Sequence, residues 1–548
     1  MAQERDGFVI EDCIIKGNEK YYSVDADNLA EQLLKRVDAA SERIWQINSV
    51  TGEETTYKAF KERSIRLAIW MRKEGVVAGD IVSVCSLNHP DIGSIILATV
   101  LIGASYNALP IQDLNLQLAR YYVDFIKPRV MFVGKDKAEL LQKAAESEDH
   151  AWKLITLYDD HFENLFGGQS PDEIDKFQVP AEKNPTHSTI IMPTSGTTGI
   201  IKFVCYSNER CMRWISSIDL DTEMKDTKRV CLDYLAPEWE LHFRSMLHNV
   251  LVGRTQVFHQ EFEPTETCKI IEKYKVNILA ADVYLVTILC QSNVADNYDL
   301  QSLSLLKTCG TIISPKVVNK LQTYFRNAFI QKIYGSTETL ILTKYTKNCR
   351  NPDSQGVVIP NIQLKICDVK TGSSLGHNEV GEIRANTPFG MTGYYKNPEA
   401  NKLAYDNEEW FRMGDQGYYD ENGELVIIGR LKEMIRHRLY DIYPSHIEEL
   451  LVCHPNIVDA AIVGIRHEIV IEQPVAFVKI SPETVMTEED VLKVLSELDY
   501  SDSFKGAIVF IDEIPRSSNG KISRRILRER AEKFYNLAKE SSECQDKN

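Results

Sequence analysis

Between Thr56 and Glu338 the sequence repeatedly alternates a short apolar run of strand length with a stretch of helical periodicity, which restricts the chain to a layered α/β architecture. An amphipathic helix is expected over 60–74. A turn at Ala78, Gly79 and Asp80 follows, then the apolar strand "IVSVCSL" and "YNALP". The run between them, "IGSIILATVLIGAS", is shorter than the ~20 residues of a membrane-spanning helix, so it is expected to be a buried one. The alternation recurs at "PRVMFVG", "WKLITLY", "VNILAADVYLVTILC" and "IQKIYGSTE", without an exact repeat.

From Gly381 to Asp420 the texture shifts to Gly, Asn, Pro and Tyr, as in "FGMTGYYKNPEA", and β-hairpins rather than helices are expected. "ENGELVIIGR" then gives a turn, a strand and a break at Gly429–Arg430. The remainder has its own pattern: a helix in "YPSHIEELLVCH", strands "VDAAIVGI" and "QPVAFVKI", and a helix from Thr487. The expected organisation is a large domain at 1–429, with sheets sandwiched by helices plus a β-rich subdomain, and a small mobile α+β domain at 430–548.

The 548 residues exceed what a single core holds, and a net charge of −16 argues against a generic nucleic-acid binder, whose phosphate contacts need a basic face. The 12 cysteines are scattered without CxxC or metal-ligand spacing, which reads as a reducing compartment. "MAQERDGFVIEDC" has no secretory pattern, and the last residues are not a Ser-Lys-Leu address. A cytoplasmic protein is expected, with peripheral membrane contact left open.

Four stretches could carry chemistry. Thr194, Ser195, Gly196, Thr197, Thr198 and Gly199 follow the strand-like "STIIM" and precede Lys202. Backbone N–H groups converge on an anion only where side chains leave room, and hydroxyls add donors. The spacing is not that of a Walker A loop; a phosphate cradle and a surface turn both fit. In "KIYGSTET", Tyr334, Gly335, Ser336, Thr337 and Glu338 offer an aromatic face, a hydroxyl and a carboxylate for a hard cation, or else a helix N-cap. Asp415 and Arg430 lie across an expected hairpin, where an aspartate can hold ribose hydroxyls and an arginine can reach phosphate, or both can be turn residues in solvent. Lys521 follows an Asn-Gly turn, ordinarily an exposed loop position.

Taken in order, Thr-Ser-Gly-Thr-Thr-Gly with a lysine behind it, Tyr-Gly-Ser-Thr-Glu, "MGD", "GRLKE" and "NGK" resemble the adenylate-forming superfamily, in particular its acyl-CoA synthetase and firefly-luciferase-like branch. The resemblance runs from Thr56 to Arg525. It implies ATP- and Mg²⁺-dependent activation of a carboxylic acid, fatty or aryl, to an acyl adenylate, and then transfer to coenzyme A. Carried over by motif, residues 194–199 and Lys202 would hold the β- and γ-phosphates. Tyr334 would lie on adenine, with Cys309, Gly310 and Thr311 opposite. Thr337 would donate to the α-phosphate, Glu338 would hold Mg²⁺, and Asp415 with Arg430 would take the ribose. Lys521 would meet the α-phosphate and the attacking carboxylate, and Trp239, Gly310 and Thr311 would line the acid pocket.

The chain departs from the family pattern at Ile201 and Phe203, where the family has proline and glycine, and bulk beside the nucleotide is expected there. Arg436, Arg438 and Leu439 stand where the family has Lys-x-Lys-Gly, which weakens the case for transfer to coenzyme A. Where luciferases have a histidine, Glu238 or Trp239 stands, with Glu240 close by; a tryptophan there could cap an acyl tunnel or fill core. Two alternatives to a ligase stay open: a catalytically weak paralogue that binds nucleotide or acyl groups, and luciferase-like oxidation of an adenylate.

Overall fold

The strands Ile81–Cys85 and Val130–Val133 are buried along their whole length, because helices cover both faces of their sheet. They pair in parallel inside a seven-stranded sheet, which also contains Ser105–Ala108, Ser188–Pro193 and Phe203–Ser207. All ten residues of the helix Ile92–Leu101 are buried, as its unbroken apolar run requires. The chain is described here by a computed structural model, which covers every residue except 1–2, 6, 25, 112–113, 147–151, 182–183, 185, 195–200, 221–222, 224–228, 439, 468, 483, 499, 517–519 and 546–548.

A nine-stranded sheet forms the second layer, with Val230–Asp233, Ile278–Asp282, Leu305–Cys309 and Phe329–Ser336 parallel at its centre. Their carboxyl ends bring Asp282, Cys309 and Ser336 to one edge, where open parallel sheets form ligand crevices. Asp282 also caps the helix Val283–Ser292, its side chain accepting from the Leu285 amide. A third sheet of seven antiparallel strands ends in Gly381–Asn386, Phe411–Tyr419 and Leu425–Arg430. After Arg430 the chain builds a five-stranded sheet around the long antiparallel pair Ile457–His467 and Ile471–Ile480. Among the described residues no helix is long and apolar enough to cross a membrane, and every cysteine is free.

The architecture is the layered α/β one, with a large domain and a smaller C-terminal one, and three local expectations need correction. The 381–420 stretch is not all hairpin. Asn397 accepts from the Ala400 amide and Pro398 takes the first position of the helix Pro398–Ala404, where its missing N–H costs nothing. "KIYGSTET" starts no helix: Phe329–Ser336 turns directly into the antiparallel strand Leu340–Lys344. Gly335 is required there, since a Cβ would lie 1.9 Å from the Leu340 carbonyl oxygen.

The third concerns Phe203. Strand alternation turns its ring away from the Lys202 side and into the core, where it is 1% exposed. It meets Tyr122 edge-on at 5.8 Å and Phe125 at 5.9 Å, with Ile201 packed on the same cluster. The bulk fills a core, so Phe203→Ala should cost about 3–5 kcal/mol of stability through the cavity it leaves. Denaturant unfolding checks this, and a loss below about 1 kcal/mol would exclude a core role.

Candidate active site

The antiparallel pairing of Phe411–Tyr419 with Leu425–Arg430 sets Asp415 directly opposite Arg430. The Arg430 guanidinium forms an ion pair with Asp415, Nε to Oδ1 at 2.9 Å, and the Tyr334 hydroxyl donates to Oδ2 at 2.8 Å. Burial pushes the Asp415 carboxyl above its ordinary range, with Arg430 and Tyr334 pulling the other way. Burial and the adjacent carboxylate hold the Tyr334 phenol protonated far beyond its usual range. The aspartate thus has one hydrogen-bond donor, Tyr334, and one ion-pair partner, Arg430.

The hairpin turn after Gly335 presents Thr337 and Glu338. The turn is tied locally, with the Glu338 amide donating to Ser336 Oγ at 3.2 Å. Two tyrosines that the motif reading left without a role fix it from outside. The Tyr206 hydroxyl donates to the Thr337 carbonyl, and the Tyr394 hydroxyl donates to Glu338 Oε1 at 3.0 Å. Lys202 Nζ lies 4.0 Å from the centre of the same Tyr394 ring, so one aromatic residue joins the lysine to the carboxylate. Burial lowers the Lys202 ammonium from its usual value, and Glu338 partly offsets this. The Thr194 amide donates to the Lys202 carbonyl at 2.8 Å, closing the base of the Gly/Ser/Thr loop. Ser195, Gly196, Thr197, Thr198 and Gly199 lie outside the described residues.

Lys521 enters from the small domain. Gly520 has φ +66 and packs so closely on Tyr284 that a Cβ would lie 2.9 Å from the tyrosine Cβ. Arg516 stacks over the Tyr284 ring at 4.7 Å and donates to the Gly520 carbonyl at 2.6 Å. The lysine is brought down to about 8, by burial first and then by the Arg430 cation, against Asp415, Glu338 and Cys309. Those four groups and the lysine therefore share one electrostatic neighbourhood. The rest of the dock includes Gln291 Nε2 donating to the Val458 carbonyl at 2.9 Å, Lys316 donating to the Cys453 carbonyl, and Ser445 Oγ donating to the Ile428 carbonyl at 2.8 Å.

Trp239 caps the start of the helix Glu240–Val252, and its ring is 3.4 Å from where a Cβ on Gly310 would sit. Gly310, with φ +99, ends the strand that carries Cys309, and Thr311 beyond it is exposed. Trp239, Leu241, Ile333, Leu235, Ala280 and Cys309 form one small apolar cluster beside Lys521. Trp239 thus packs against the end of the strand that carries Cys309. Glu240 points to the opposite side, where it accepts from Arg244 at 2.5 Å, and Arg244 stacks between Tyr206 and Trp214. Arg436 is solvent-exposed on the small domain, and Leu439 lies outside the described residues.

Residues 35–395 match the model of the AMP-binding enzyme family and residues 446–521 that of the AMP-binding enzyme C-terminal domain. The chain is 28% identical to luciferin 4-monooxygenase of Photuris pensylvanica over 95% of its own length and 98% of that protein. It is 31% identical to a 4-coumarate–CoA ligase of Pinus taeda, over 72% of this chain and 75% of the relative. The fold superposes on ATP-bound MatB from Rhodopseudomonas palustris with a TM-score of 0.82 at 22% identity, covering 93% and 100% of the two chains. The chain belongs to the AMP-binding enzyme family, within the adenylate-forming superfamily.

Arg430→Met removes the cation that offsets burial at Asp415, so the carboxyl should rise further. A carboxyl whose folded pKa lies above its unfolded one binds its proton more tightly when folded, and stability falls as pH rises through the folded value. As pH rises above the ordinary carboxylate range, the unfolding midpoint of Arg430→Met should therefore fall further than that of wild type. Parallel midpoint curves for the two proteins would contradict the pairing.

Proposed function

We propose that this enzyme joins a carboxylic acid to ATP, releasing pyrophosphate and forming an acyl adenylate, and then passes the acyl group to coenzyme A. The observation that carries this reading is the convergence of Lys521 with Asp415, Arg430, Glu338 and Cys309 at the carboxyl ends of the parallel strands. The substrate carboxylate is ionised near neutral pH, so its oxygen attacks the α-phosphorus without a base, and the bond to the pyrophosphate oxygen breaks. Charge grows on the α-phosphate, and Lys521 and Thr337 are the donors assigned to it.

Asp415, already held by Arg430 and Tyr334, is assigned to the ribose hydroxyls. Tyr334 and the edge Cys309–Gly310–Thr311 are assigned to adenine, and residues 194–199 with Lys202 to the β- and γ-phosphates. Glu338 uses one oxygen to accept from Tyr394 and fits a Mg²⁺ ion shared with phosphates, since such ions need only one or two protein carboxylates. The ion would neutralise phosphate charge. In the second half-reaction the coenzyme A thiolate attacks the acyl carbon and AMP leaves. Domain rotation about the 429–430 junction would withdraw Lys521 for that step. The acid is assigned to the fatty or aryl class, the location to the cytoplasm.

The weak-paralogue reading rested in part on bulk at Phe203, which the core accounts for. The luciferase-like alternative is favoured by the 28% identity to a luciferin 4-monooxygenase, and light on mixing with luciferin and ATP would support it.

Lys521→Ala should cut pyrophosphate release by about 10²–10³-fold, with ATP affinity changed only a few-fold, because the lysine meets charge that develops in the transition state. Synthetic acyl adenylate should still transfer to coenzyme A in that variant. Equal loss of both half-reactions would refute the assignment.

A further inference from the structure

A line of accessible surface leads inward from Trp239. On the helix Glu240–Val252, Leu241, Ser245 and His248 retain accessible surface while their neighbours on the other faces are buried. Their i, i+4, i+7 spacing makes them one stripe. That stripe looks onto the nine-stranded sheet: Leu241 packs with Cys309 and Ile333, and Cys231 on that sheet donates to Asn249 at 3.6 Å.

The facing surface of the sheet is partly open too. Lys307 lies opposite Gln331, and Lys344 opposite Ile333, so strand alternation puts all four on one face, and all four retain accessible surface. Lys307, Lys344 and His248 are nevertheless surrounded by protein deeply enough for burial to dominate their titration. Side chains of the helix and of the sheet face that it covers thus keep accessible surface towards each other, and the gap between them is taken as a cleft.

The far end of this cleft is basic. Lys307, Lys344 and Arg254 meet there. Glu223 is engaged by Arg254 at 2.7 Å and by His248 at 3.2 Å. Asp233, the next carboxylate, accepts from the Leu235 amide at 2.8 Å. Among the described residues neither lysine ammonium has a hydrogen bond or ion pair, and Arg254 Nε is also unpartnered. Lys307 is brought down to about 8, by burial and then by the neighbouring Lys344 and Arg254 cations. The carboxylate that acts on both lysines, Glu223, is thus already shared with Arg254 and His248, and two enclosed ammonium groups in that position are costly to leave facing an apolar ligand and favourable to pair with a further anion.

We propose that the acid activated at Lys521 carries a second anionic group, and that Lys307 and Lys344 receive it at the inner end of the cleft. This rests on the adenylation reading above for which end of the acid reacts. Gly310 and Lys307 are three residues apart on one strand, about 10 Å, so the two acidic groups would be separated by a short chain or a ring. A site built to pair a polar group rejects the analogue that lacks it far more strongly than an apolar pocket rejects a missing methylene.

The test uses straight-chain α,ω-dicarboxylic acids of increasing length and their monomethyl esters, with pyrophosphate release as readout. At the best length, wild type should prefer the diacid over its half-ester by at least about tenfold in kcat/KM. Lys307→Met and Lys344→Met should each bring that ratio towards one. A wild-type ratio near one, or a preference for the half-ester, overturns the proposal while leaving adenylation intact. Calorimetric titration of the diacids without ATP separates the two readings. If no acid yields pyrophosphate but a diacid binds wild type and binds Lys307→Met at least tenfold more weakly, the cleft assignment holds and the adenylation reading fails. Absence of both turnover preference and differential binding overturns the cleft assignment.

Discussion

The pairing of Asp415 with Arg430 is the constraint on which the rest of the site depends. It joins the last two strands of the large domain at the position where the chain departs for the small one. The same aspartate accepts from Tyr334, so a third strand, from a different sheet, is fixed by one carboxylate. Arg430 also sets the terms on which Lys521 can arrive. A second cation beside it is unfavourable in an enclosed site, and only the surrounding carboxylates Asp415 and Glu338 make the approach tolerable. Added phosphate charge would relieve the same conflict, so the empty and the loaded site differ in how firmly they hold the lysine.

The helix Glu240–Val252 handles burial of charge in two opposite ways. Towards the Phe203–Ser207 strand it buries Glu240 and Arg244 as a pair, sandwiched by aromatic rings. Towards the nine-stranded sheet it faces lysines that have no such partner among the described residues. A buried pair stabilises little and fixes geometry, whereas an enclosed cation without such a partner favours the approach of an anion.

Much of the plan was legible in the sequence because its signals are local. Burial on both faces makes parallel strands continuous apolar runs, and the Asn-Gly turn before Lys521 and the fifteen-residue hairpin spacing of Asp415 and Arg430 need only neighbouring residues. What escaped was non-local. Phe203 looked misplaced in a phosphate loop, because its partners Tyr122 and Phe125 come from a helix about eighty residues earlier in the chain. Tyr206 and Tyr394 were unreadable as supports of Thr337 and Glu338, since a tyrosine in a strand says nothing about where its hydroxyl ends. Tyr394 did sit in "GYYKNPEA", and its position in a short strand, opposite Val204, is the signal that could have pointed to it. The opening strands Phe8–Glu11 and Ile14–Gly17, which join a sheet built mostly from residues after Gln363, left no trace a local pattern could reveal. The helix Pro398–Ala404 was hidden by the residues that start it, because Asn and Pro mark turns and helix caps alike.

The dock between the domains has an evolutionary corollary. Gln291, Lys316 and Ser445 all donate to main-chain carbonyls, those of Val458, Cys453 and Ile428. A carbonyl is supplied by every residue type, so positions 428, 453 and 458 can drift in identity without loosening the closed arrangement, provided the backbone keeps its course. Divergent descendants of such a chain could exchange small domains more readily than if closure were written in matched side-chain charges.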